Sequence, residues 1–131
     1  MEELINLGLS DITLKTMQEI NPKILEISEK EIIIKEEILK KINCSENQII
    51  NIIGSNPQML SRTNGELINL ISYLINLGFK SLNILFDSNP YILNLDPFEI
   101  KRYIEERSSK GEQLEQIIDE LDSNPILFNE M

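Results

Sequence analysis

The chain has no histidine, no tryptophan, no alanine and no valine, and it has a single cysteine, Cys44. One thiol cannot form an intrachain disulfide, so no oxidising compartment is implied. Without histidine, neither a Ser-His-Asp nor a Cys-His nucleophile can be assembled. A zinc site would have to rest on carboxylates and one thiol, which is too few soft ligands. Glycine is scarce and scattered, with Gly8, Gly54, Gly65, Gly78 and Gly111 each standing alone, so there is no glycine-rich phosphate loop. The start, Met1-Glu2-Glu3, is acidic and lacks the basic opening of a signal peptide. No apolar run approaches the roughly 18 residues of a membrane helix. These absences predict a soluble intracellular, cytoplasmic protein with no membrane association. They also predict no cofactor, no metal and no catalytic residue, so the chain is not read as an enzyme.

What is present is a repeat. The 131 residues suit one ordinary domain or a short repeat array, and isoleucine and asparagine are unusually common. Asn-Pro occurs four times, as Asn21-Pro22, Asn56-Pro57, Asn89-Pro90 and Asn124-Pro125, at intervals of 35, 33 and 35 residues. An apolar pair follows each proline: Ile24-Leu25, Met59-Leu60, Ile92-Leu93 and Leu127-Phe128. Asn43, Gly78 and Gly111 each lie 21 residues after a proline, and Gly8 stands before Pro22 as Gly111 stands before Pro125. Glycine and asparagine tolerate the left-handed conformation that ends a helix. The unit therefore reads as an Asn-Pro start, an apolar pair, a helix, a Gly/Asn stop and a second helix.

Asn-Pro joins a stop to a start. Proline disfavours helical geometry in the residue before it. Asparagine is a good N-cap and proline a favoured first helical residue. The segment after each proline is too short for an ordinary α-helix, so a single 3₁₀ or α turn is expected, pinned to the core by its apolar pair. Long helices are predicted over Ser28–Ile42, Asn64–Leu77 and Pro97–Ser109, with a capping box at Ser28 and Glu31. Ile32, Leu67 and Ile100 share one register in them; Leu39 and Leu74 share another, where the third unit has Arg107. Shorter helices are predicted over about Ser10–Ile20, Ser45–Gly54, Lys80–Ser88 and Glu112–Asp122, with Leu14, Ile49, Ile84 and Ile117 aligned six residues after each Gly or Asn. The Asn64–Leu77 helix is apolar nearly all round, as an inner repeat buried on two faces should be. Cys44 aligns with Leu9 and Phe79 and reads as a small core residue.

The pattern L-G-[LF] followed by N-P-x-[IM]-L resembles the repeat of the mitochondrial transcription termination factor family, mTERF. Leu7-Gly8-Leu9 through Leu25, and Leu77-Gly78-Phe79 through Leu93, carry it most clearly. The resemblance implies an all-α fold: a short right- or left-handed α-solenoid of about three mTERF-like units, each of two helices and a 3₁₀ turn. It would occupy residues 1–131 as one domain, with units near 1–22, 22–56, 57–89 and 90–124 and residues 125–131 as the C-terminal end. It also implies binding of double-stranded nucleic acid along a basic concave face.

Charge points elsewhere. There are 12 basic and 22 acidic residues, a net charge of −10. Residues 112–131 carry Glu112, Glu115, Asp119, Glu120, Asp122 and Glu130 and no base, which reads as a solvated end cap. Arg62, Lys80, Lys101 and Arg102 lie in the least acidic units and are the candidate nucleic-acid contacts. They do not form the dense cluster of a nucleic-acid footprint. The expected function is a non-enzymatic binding module whose macromolecular partner is a protein ahead of a nucleic acid.

Overall fold

A 3₁₀ turn of five or six residues begins at every Asn-Pro step: Pro22–Glu26, Pro57–Ser61, Pro90–Asn94 and Pro125–Glu130. The computed structural model describes all 131 residues. Between the turns run α1 (Glu2–Leu7), α2 (Asp11–Ile20), α3 (Glu29–Lys41), α4 (Glu46–Ser55), α5 (Asn64–Leu77), α6 (Leu82–Ser88), α7 (Pro97–Ser109) and α8 (Leu114–Ser123). The chain has no β-strand, and α1 is a helix that the sequence pattern did not assign.

The helix stops obey the residue types. Gly8, Gly78, Gly111 and Asn43 all take positive φ, between 71° and 112°. The amide after each donates back across the stop: Leu9 to the Leu4 carbonyl, Cys44 to Leu39, Phe79 to Leu74 and Glu112 to Arg107. This is the Schellman closure, which satisfies carbonyls that a helix end otherwise leaves open. Several helix starts are closed by side-chain caps. Thr63 accepts from the Glu66 amide while Glu66 accepts from the Thr63 amide, and Ser45 and Gln48 do the same. At α3 only half of the expected box forms: Ser28 accepts from Glu31, but the Glu31 carboxylate turns to Asn64 and Lys35 instead.

Repetition then builds layers. α1, α3, α5 and α7 pack side by side in chain order, α2, α4 and α6 form a second row, and the four turns stack on one another. Thirty buried apolar side chains form one continuous cluster through the stack. Ile32, Leu67 and Ile100, in equivalent positions, are all fully buried, as are Leu60, Leu93 and Phe128. Gly54 lets α2 and α4 approach closely, since a Cβ there would sit 3.3 Å from Leu9 and 3.4 Å from Thr13.

Four expectations need correction. The Asn-Pro asparagines do not cap the turns with their side chains. They bridge repeats instead. Asn21 Nδ2 donates to the Pro57 carbonyl at 3.1 Å and to Ser61 Oγ at 2.8 Å. Asn56 donates to the Pro90 carbonyl at 2.8 Å and to Asn94 Oδ1 at 3.0 Å, and Asn89 to the Pro125 carbonyl and Asn129 Oδ1, both at 2.9 Å. Proline at the first turn position leaves its own carbonyl facing the preceding unit, and asparagine is short enough to reach it while staying buried. Asn124 is exposed and makes no such bridge.

Leu25 is the second correction: it is 63% exposed and does not pin its turn, which Ile24 alone does. Leu60, at the same position one repeat on, is buried, and its turn packs against α3 and the Pro22–Glu26 turn. Third, Ile84 is 59% exposed. The third unit is two residues shorter between its glycine and its proline, so register holds when counted back from Pro90, and Leu82 takes the buried place of Leu14, Ile49 and Ile117. Fourth, α5 does not bury both faces: Ile68 and Ile75 are 49% and 52% exposed.

Candidate binding surface

The exposed face of α5 forms one wall of a groove against α3. Ile38 and Lys41 come from α3, Ile42 from its C-cap, and Ile68, Ile71, Ser72 and Ile75 from α5, around a volume of about 320 Å³. The groove runs on past Lys41, Ile42 and Ile75 into a smaller recess of about 180 Å³ formed with Asn43, Phe79, Lys80 and Leu82. Lys41 and Lys80 are the only charged residues lining either part.

The repeat allows a comparison within the chain. Stepping one unit back from Ile68, Ser72 and Ile75 gives Ile33, Glu37 and Lys40; one unit forward gives Lys101, Glu105 and Ser108. Flanking units thus place mostly charged or polar side chains where α5 has two exposed isoleucines. The fold does not demand an apolar groove there, since the neighbouring units pack without one.

The four candidate nucleic-acid contacts fall in different places. Arg62 faces inward. Its guanidinium donates to the Leu93 and Leu95 carbonyls at 2.8 and 2.7 Å and to Asp96 Oδ1 at 2.5 Å, with Glu66 at 3.5 Å. It clamps the Pro57–Ser61 turn to the next repeat, so it is a structural residue, not a surface contact. Lys101 lies 3.9 Å from Glu105, and the Arg102 guanidinium lies over the exposed Phe98 ring at 5.8 Å from its centre. Lys80 is exposed, beside Lys41 in the recess. The structure therefore brings Lys80 to a lysine that the sequence reading did not single out, and away from Arg62.

Three charged side chains stand at core positions; the sequence reading noted Arg107 in the register of Leu39 and Leu74 but assigned no role to it, and it passed over Lys35 and Glu36 as core residues. Lys35 occupies the register of the buried Leu70 and is itself buried. It donates to Asn64 Oδ1 at 3.1 Å, Asn64 donates to Glu31 at 3.3 Å, and Lys35 Nζ lies 3.7 Å from Glu31. Burial lowers the Lys35 pKa, and the Glu31 carboxylate opposes that shift. Glu36 stands in the register of the buried Ile71 and Ile104, with Oε1 buried and without a hydrogen-bond partner. Burial, together with Glu3, pushes its carboxyl up to about 7. Arg107 replaces Leu74 in register and is held by Glu112, by Glu120 at 2.7 Å and by Tyr103 at 2.6 Å. Two acids of the C-terminal end thus hold α8 to α7. The aligned register was the available signal for all three, because each interrupts an apolar series.

Cys44 is buried, and burial with the nearby Asp87 carboxylate raises its thiol pKa to about 11, which removes nucleophilic character at neutral pH. No three Cys, Asp or Glu side chains converge as a metal site would require. No single helix is long and apolar enough to cross a membrane.

A family model described as mTERF matches residues 1–119. The chain belongs to the mTERF family. Searches of curated proteins and of solved structures gave no match. As an mTERF chain it is an all-α repeat protein, and membership makes it a module for binding a macromolecule. The asparagine bridges and left-handed glycine stops described above are the physical content of its repeat.

Proposed function

We propose that this mTERF module binds a protein partner and has no catalytic activity of its own. The observation that carries this reading is the inward placement of Arg62, engaged by two carbonyls and Asp96. It leaves Lys80, Lys101 and Arg102 as the candidate phosphate contacts, on a chain of net charge −10. Long-range repulsion of a polyanion opposes encounter. Three phosphate contacts would give a salt slope of about −2.7, an affinity falling about 40-fold between roughly 50 and 200 mM salt. The lone buried Cys44 suits a reducing, intracellular setting.

Family membership favours a second reading, duplex nucleic acid. Anisotropy titration of a labelled duplex of roughly 20 base pairs separates the two. The protein-partner reading expects no binding at ~150 mM salt and only weak, salt-sensitive binding at ~50 mM. Sub-micromolar duplex binding at ~150 mM salt, lost on Lys80→Ala with Arg102→Ala, would establish the second reading.

A further inference from the structure

We infer that the α3–α5 groove is the docking site for an amphipathic helical segment of a partner protein, apolar on one face and flanked by carboxylates. The inference deepens the protein-partner reading and rests on it. Ile68 and Ile75 are seven residues apart on one helix, so they span about 10 Å, two helical turns. That is the length over which a bound helix places anchors at i, i+3 or i+4, and i+7. Ile38 and Ile42 supply the opposite wall. The flanking repeats show that this apolar surface is no requirement of the fold. In water, Ile68 and Ile75 leave about half of their surface exposed, and covering them would be favourable.

Charge selects the occupant. The chain has 22 acids, yet none lines the groove, and the two charges that do are Lys41 and Lys80. Acidic flanks on a helical ligand would meet them. A second copy docking the same face would bring the lysines of both copies together. A nucleic acid would find two cations but would leave the isoleucines in contact with phosphate and water.

The test uses the full chain and isoleucine-methyl NMR. Three helical peptides of about 18 residues share one leucine face at i, i+3, i+4 and i+7 and carry Glu, Lys or Gln on the other face. The Glu peptide is expected to shift the methyls of Ile38, Ile42, Ile68 and Ile75, and to bind at least about tenfold tighter than the Lys peptide. Ile75→Glu should abolish these shifts without altering the thermal melt, because the side chain is half exposed. The pair Lys41→Glu and Lys80→Glu should reverse the preference between Glu and Lys peptides.

The proposal is overturned if no peptide shifts these methyls up to ~1 mM, a limit that corresponds to about 4 kcal/mol of binding. It is equally overturned if the Lys or Gln peptide binds as well as the Glu peptide, or if the shifts map to another face. Methyl shifts that depend on protein concentration alone would assign the groove to a second copy. A duplex shifting the same methyls would assign it to nucleic acid and would overturn the protein-partner reading as well. Failure of every peptide with no duplex binding would remove the groove and leave that reading standing.

Discussion

Replacing Asn56 by alanine discriminates between a cap and a bridge. As an N-cap, each of the four Asn-Pro asparagines would contribute about 1 kcal/mol, and all four would matter alike. The structure separates them. Asn56 donates to the Pro90 carbonyl and to Asn94 Oδ1, and accepts from Asn94 Nδ2 at 2.9 Å. Asn124 is exposed and bridges nothing. Each lost hydrogen bond removes about 0.5–1.5 kcal/mol, and a buried carbonyl left unsatisfied adds to that loss. Asn56→Ala should therefore cost about 2–4 kcal/mol, against less than about 0.5 kcal/mol for Asn124→Ala. With a urea slope near 2 kcal/mol per molar, the Asn56 variant should unfold about 1–2 M earlier. Urea melts followed by circular dichroism at 222 nm measure both. Equal midpoints for the two variants would refute the bridging account and restore the capping one.

The apolar pair after each proline gives a parallel contrast. Leu60→Ala and Leu93→Ala should each cost about 2–5 kcal/mol, whereas Leu25→Ala should change stability by less than about 1 kcal/mol in the same melts. Glu36 sets a pH dependence: its folded pKa of about 7 lies above the ordinary glutamate value of 4.5, so the native state binds the extra proton between those values. Stability should be greatest near the lower value and fall as pH rises through 7; Glu36→Gln should remove that fall and raise stability at pH ~8 by about 1–3 kcal/mol. Glu3, Glu37 and Lys40 are the charged groups that act on Glu36, so Glu3→Gln should weaken the same dependence. Glu29, Glu66 and Glu112 act with the opposite sign, since hydrogen bonds hold their pKa values down, and stability falls again on acidification below about 4.5. Arg107→Met should release α8, raising amide exchange in Leu114–Ser123 while α3 to α5 stay protected.

The sequence by itself determined the helix breaks and the period. Proline cannot continue a helix, and glycine or asparagine closes one, so Gly8, Asn43, Gly78 and Gly111 marked their stops without any tertiary information. Helical spacing of isoleucine and leucine was enough to give an all-α stack, and Leu60 and Leu93 were identifiable as core residues. Only the tertiary structure decided what polar side chains do between units. Asn56 was legible as a cap because capping is local; its true acceptor lies 34 residues away, on a carbonyl that the next repeat places there. Arg62 was legible as a cation, but its carbonyl acceptors come from the following turn and the residue after it. The groove was hidden for the same reason. An apolar residue in an inner helix is normally buried, and only the packed structure shows that Ile68 and Ile75 keep about half of their surface exposed beside Ile38 and Ile42.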